Sequence, residues 1–149
     1  MRKYLFVCFA NINRSPYAAR WFSDYCAKYG IKAEVKSAGL EAEPDSYNPR
    51  ARVKLTPELV RWADKIFVMD KGLQIRMSKK YPASITKSYC LDIPDIFDPN
   101  LEEPPALSEM SIQEAVDYFN MARTGNNYIG RHIFEKVLQA RLEEILGFK

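Results

Sequence analysis

One stretch near the N-terminus narrows the possible folds more than any other. Lys3-Tyr4-Leu5-Phe6-Val7-Cys8-Phe9 is an unbroken β-prone apolar run, the pattern of a strand buried on both faces. Polar Asn11, Asn13 and Arg14 follow, and then Ser15-Pro16. That pair reads as a helix start, with serine as N-cap and proline at the first helical position. A buried strand, a polar loop and a helix open an α/β fold, because a strand covered on both sides needs helices above and below it.

The rest of the chain continues the alternation. Ala18, Phe22, Tyr25, Cys26 and Tyr29 recur at helical spacing before Gly30, which predicts a first helix closed by a glycine. Strands are predicted over Ile31–Ala38, Lys65–Met69 and Ile85–Leu91, and helices over Thr56–Ala63 and Leu73–Tyr81. Glu41–Arg52 and Asp92–Pro105 read as loops from their proline, aspartate and asparagine. Ser111-Ile112-Gln113-Glu114 is a capping box opening a helix to about Arg123, and a last helix runs from about Tyr128 to Leu146 before Gly147. No repeat interrupts this order. The expectation is one domain over 1–149, a three-layer α/β/α sandwich on a four-stranded parallel sheet, with a phosphate-binding loop after the first strand.

Charge is distributed unevenly along this order. The net charge is +3, yet residues 1–90 hold 17 Lys and Arg against 8 Asp and Glu, and residues 91–122 hold 8 acids and no base. A positive region of that kind draws anionic substrates. No basic run is interleaved with aromatics, so nucleic acid is not an expected partner. Three cysteines with no tight spacing and one histidine argue against a disulfide framework, a zinc site or a histidine-centred triad. The apolar run after the basic start Arg2-Lys3 is too short for a signal peptide or a membrane span, which points to a cytoplasmic protein.

The segment Cys8-Phe9-Ala10-Asn11-Ile12-Asn13-Arg14-Ser15 holds the chemistry. It lies at the carboxyl end of a strand and the N-terminus of a helix, where α/β proteins bind ligands. Unpaired helix N–H groups, the positive end of the dipole and further loop N–H groups make an anion cradle. Arg14 can grip two phosphate oxygens with its planar fork. A helix N-terminus beside an arginine favours the thiolate of a cysteine, so the field that holds phosphate also prepares Cys8 as a nucleophile. Ser15 can donate its hydroxyl to that sulfur, and Asn11 tolerates a left-handed backbone.

These residues resemble the low-molecular-weight protein tyrosine phosphatases, whose loop has the form Cys-x5-Arg-Ser-Pro. Ser37-Ala38-Gly39, Pro49-Arg50-Ala51, Trp62-Ala63-Asp64 and Val68-Met69-Asp70 match in order. The resemblance implies hydrolysis of phosphotyrosine in a protein, or of a small aryl phosphate, without metal or cofactor. The backbone from Phe9 through Ala10, Asn11, Ile12 and Asn13 would cradle the phosphate, and Ile12, Phe9 and Tyr47 would border the substrate ring. A late-loop aspartate would be the general acid. Aligned on the preceding Ile-Pro, that acid is Asp95 with Phe97 as an aromatic wall; aligned on Asp-Pro, it is Asp98. Ala10 stands where the family has glycine, Ile96 where it has proline, and Asn13 where it has a second cysteine. The last departure removes the family's protective disulfide. Two other readings stay open: a phosphate-binding module with little turnover, and an arsenate reductase-like thiol enzyme using Cys90.

Overall fold

The computed structural model describes residues 1–43 and 52–147. Chain contacts divide it into two compact units, Met1–Asp92 and Ile93–Lys149. The first is built on β1 (Arg2–Cys8), α1 (Arg14–Lys28), β2 (Ala33–Gly39), α2 (Pro57–Trp62), β3 (Lys65–Val68), α3 (Lys71–Lys80) and β4 (Ser88–Cys90). All four strands are parallel, in the order β2-β1-β3-β4. The apolar run therefore became an inner strand, with Leu5, Phe6 and Val7 fully buried.

Side-chain alternation sorts the two faces. On one face Phe22 of α1 meets Tyr4, Phe6 and Phe67, with ring centroids 5.2, 5.8 and 6.4 Å away. On the other, Gln74 of α3 donates to Ser88 Oγ at 3.2 Å, in register with Ile66. Helices thus flank the sheet on both sides, giving the expected three layers within this unit.

Several boundaries differ from expectation. Helix α1 starts at Arg14, with Asn13 as N-cap and no side-chain cap bond. Ser15 cannot cap it, because its hydroxyl is committed to Cys8 and Asn11. Strand β2 starts at Ala33, and α3 starts at Lys71 because the Asp70 carboxylate accepts from Leu73 N–H at 3.0 Å. The strand expected from Ile85 is shorter: Pro82–Lys87 winds as a 3₁₀ helix, and only Ser88–Cys90 pairs with β3.

The second unit contains α4 (Pro105–Ser108), α5 (Ile112–Thr124) and α6 (Arg131–Leu146). Helix α4 was not expected. The capping box at α5 is present, with Glu114 N–H to Ser111 Oγ at 3.1 Å and Ser111 N–H to Glu114 Oε1 at 3.2 Å. Helix α6 starts later than Tyr128, since Glu103 accepts from Gly130 N–H and His132 N–H at 3.1 and 2.8 Å and fixes its first turn. Gly147 ends it in left-handed backbone, φ 75°. Among the described residues no helix is long and apolar enough to cross a membrane.

Candidate active site

Cys8 is the last residue of β1 and pairs in register with Gly39, the last of β2. The chain then turns through Phe9–Asn13 into α1. The turn needs one left-handed residue, and Asn11 supplies it with φ 56°. Its side chain, 2% exposed, ties the loop to three segments. Val53 N–H, which can only donate, reaches Asn11 Oδ1 at 2.9 Å and so fixes which way the amide points. Both Nδ2 hydrogens are then used, on Ser15 Oγ at 2.9 Å and Ser37 Oγ at 3.0 Å.

Ser15 Oγ, which accepts from Asn11, lies 2.9 Å from Cys8 Sγ, a pair in which either atom can donate, and 3.4 Å from the Ala38 carbonyl, to which it can also donate. Asn11 N–H also points at the sulfur, at 3.3 Å. The backbone N–H and the hydroxyl thus converge on one sulfur.

The neighbouring backbone must come unusually close. A Cβ on Gly39 would lie 2.7 Å from both Ala10 C and Asn11 N, so only glycine lets the loop rest on the end of β2. Leu40 and Glu41 N–H groups then hold the Cys8 and Phe9 carbonyls, each at 2.9 Å. Gly39 N–H bonds Val53 C=O at 2.8 Å on its other side.

Arg14 opens α1 and is 5% exposed. Its Nη1 donates to Asp70 Oδ2 at 3.0 Å, while Asp70 Oδ1 caps α3. One carboxylate thus anchors both a guanidinium and a helix. Thr56, Asp70 and Ser111 cap α2, α3 and α5 with their side chains, whereas Asn13 does not cap α1. The N-terminus of α1 therefore carries no side-chain cap from Asn13, and its dipole end suits an anion. Phe9 and Ile12 are exposed at 45% and 51% beside these buried groups. The sequence reading assigned no role to Asp70, Ser37, Gly39 or Val53. Their partners are 26 to 56 residues away for the side-chain bonds, and local spacing carries no signal of such pairs. Tyr47 lies outside the described residues.

The late-loop residues belong to the second unit. Asp95 is exposed at the centre of a tight turn closed by Ile96 N–H to Pro94 C=O at 2.8 Å. The Asp98 carboxylate accepts from Asn100 N–H at 2.9 Å and organises the following turn. Phe97 is 1% exposed, and its ring stacks on Phe134 with centroids 4.0 Å apart. That is the setting of a packing residue rather than of an aromatic wall.

The other two thiols lie apart from Cys8. Burial pushes the Cys26 thiol up to about 11 and raises that of Cys90, the behaviour of inert structural cysteines. Cys90 is in register with Val68 and, through it, with Val7, two strands over. At about 4.8 Å per strand its Cα sits roughly 10 Å from β1, and its side chain projects from the face opposite that of Cys8. A disulfide needs Cα atoms within about 7 Å. Among the described residues no group of three or more His, Cys, Asp or Glu is placed to hold a metal ion.

Residues 3–61 match the family described as low molecular weight phosphotyrosine protein phosphatase. No curated protein sequence matches at a significant level. Among solved structures, a YwlE mutant from Bacillus subtilis is 21% identical, with TM-score 0.64 and 99% of both chains covered. The YwlE arginine phosphatase of Geobacillus stearothermophilus is 23% identical, with TM-score 0.60, covering 99% of this chain and 94% of that one. The tyrosine phosphatase Wzb of Escherichia coli K30, in complex with phosphate, is 22% identical, with TM-score 0.57, covering 96% and 97%. Over residues 3–61 the chain is thus similar to the low molecular weight phosphotyrosine protein phosphatases, and along nearly its whole length it shares the fold of these solved structures.

Proposed function

We propose that the chain hydrolyses phosphotyrosine and other aryl phosphate monoesters through a cysteinyl-phosphate intermediate on Cys8. The observation that carries this reading is the convergence on the Cys8 sulfur of the Ser15 hydroxyl at 2.9 Å and the Asn11 N–H at 3.3 Å, at the N-terminus of the helix that Arg14 opens. In the first step the Cys8 thiolate attacks phosphorus and the P–O bond to the aryl group breaks. Arg14, the loop N–H groups from Phe9 to Asn13 and the start of α1 balance the charge on the equatorial oxygens. Asp95 gives its proton to the departing phenolate. In the second step Asp95 takes a proton from water, water attacks phosphorus, and Ser15 stabilises the sulfur as it leaves. Asp95 is the acid on the Ile-Pro alignment, with Asp98, whose Oδ1 accepts from Asn100 N–H, as the alternative.

Relatives include an arginine phosphatase and tyrosine phosphatases, so substrate class is the open choice. Phe9 and Ile12 are the exposed apolar side chains of this loop. They suit an aryl ring, whereas a phosphoarginine guanidinium requires hydrogen-bond acceptors. The arsenate reductase reading loses its relay, since Cys90 projects from the opposite face of the sheet.

Metal-free hydrolysis of p-nitrophenyl phosphate, a phosphotyrosine peptide and phosphoarginine tests the proposal. Turnover of the aryl substrates, inhibited by vanadate and lost in Cys8→Ser, is the expected result. Preference for phosphoarginine would overturn the substrate assignment. Vanadate binding without turnover would make the chain a phosphate-binding module.

A further inference from the structure

Phe9 follows the nucleophile directly and keeps its ring exposed while Cys8, Asn11 and Ser15 around it are buried. A solvent-facing phenylalanine ordinarily samples several rotamers. Here two other segments restrain it. Glu41, in the turn after β2, donates its backbone N–H to the Phe9 carbonyl at 2.9 Å. Arg76, from α3, lays its guanidinium over the ring, 5.5 Å from the centroid. Arg76 Nη2 and Glu41 Oε1 are 3.5 Å apart, so the three residues form a closed circuit holding Phe9 at both backbone and ring.

Each contact is modest on its own. An exposed ion pair contributes little, and an exposed cation–π contact somewhat more. Their shared target is the reason to consider them together: the residue they restrain borders the nucleophile. A fixed aromatic face on the residue that follows the nucleophile loses no rotamer freedom when a substrate ring packs on it, and that preorganisation translates into affinity.

We infer that Arg76 is a positioning residue for aryl substrates, holding the Phe9 ring as a preformed wall so that the site prefers aromatic over ring-less phosphates. This deepens the aryl phosphatase reading and rests on it for biological meaning. It touches neither phosphate nor the reacting atoms.

The test measures binding as well as turnover. On the full chain, Kd is determined for phenylphosphonate, which has a ring, and for inorganic phosphate, which has none. Arg76→Gln is expected to weaken phenylphosphonate by about two- to fivefold, the range of one exposed cation–π contact, and to leave phosphate unmoved. Arg76→Lys keeps a cation over the ring and is expected to recover part of the loss. In a Phe9→Leu background the Arg76→Gln effect is expected to vanish, because the coupling runs through the ring. An unchanged ratio of the two Kd values, or an equal loss in the Phe9→Leu background, would overturn the inference. If wild type binds both ligands as expected but hydrolyses no aryl phosphate, the catalytic reading falls while the ratio still decides the role of Arg76. Failure of wild type to bind either ligand would overturn both.

Discussion

The loop of residues 8–15 and the acidic stretch of residues 91–122 both commit polar side chains to backbone and charged groups, but they find partners at different distances. In the loop, Asn11 reaches Ser37 and Val53, and Arg14 reaches Asp70, across 26, 42 and 56 residues. In the acidic stretch, Asp98 bonds Asn100 and Ser111 exchanges bonds with Glu114, across two and three residues. Glu103 reaches further, to Gly130 and His132. A site that must hold a doubly charged ligand needs donors fixed against its own repulsions, and fixation from several segments provides that. A stretch that only has to start helices and turns can be assembled locally.

The largest expected effect breaks the comparison from the acidic side. Asp95→Asn is expected to lower kcat by about 10²- to 10⁴-fold, the usual contribution of a general acid. The loss should be greater for phosphotyrosine than for p-nitrophenyl phosphate, whose leaving group needs less protonation. Asp98→Asn keeps a turn-forming side chain and is expected to retain activity. The reverse pattern in steady-state assays would move the acid to Asp98. Next comes Gly39→Ala, which forces Ala10 and Asn11 off the end of β2. It should lower kcat/KM by about a hundredfold through misplacement of the loop, and stability by about 1–3 kcal/mol through overpacking. Full activity there would show that the loop does not depend on this close approach.

The smallest effect concerns pH. Bonds from the Ser111 backbone and side chain hold the Glu114 carboxyl below its usual value. A depressed acid stabilises the fold above its unfolded value, and that contribution is lost as pH falls through the folded one. Glu114→Gln, which preserves the box geometry, is therefore expected to lower Tm near neutrality, with the difference shrinking in acid. A difference independent of pH would remove charge from the explanation.

The same contrast accounts for what the sequence made legible. Strand β1, the capping box, the Thr56 cap and the Cys8–Arg14 spacing could all be read because each signal lies within a few residues. Asp70 could be recognised as a helix cap from its position, but not as the partner of Arg14. Ser15 reads as an N-cap because the sequence shows a serine before proline and cannot show the sulfur and the amide that its hydroxyl meets. Phe97 was expected to form a wall because it follows Asp95, whereas its stacking on Phe134 depends on a helix more than thirty residues further along. The 3₁₀ turn over Pro82–Lys87 replaced part of β4 because β3 offers only Ile66–Val68 to pair with.

The sheet register bears on how the molecule responds to oxidants. Peroxide converts a thiolate to a sulfenic acid, and many cysteine enzymes are rescued when a nearby thiol condenses with it. Here Asn13 occupies the adjacent loop position, Cys90 projects from the other face of the sheet, and Cys26 lies about three turns along α1. Neither Cys26 nor Cys90 is placed to reach the oxidised sulfur, so its repair needs a reductant from outside the chain before the next oxidation makes the damage permanent.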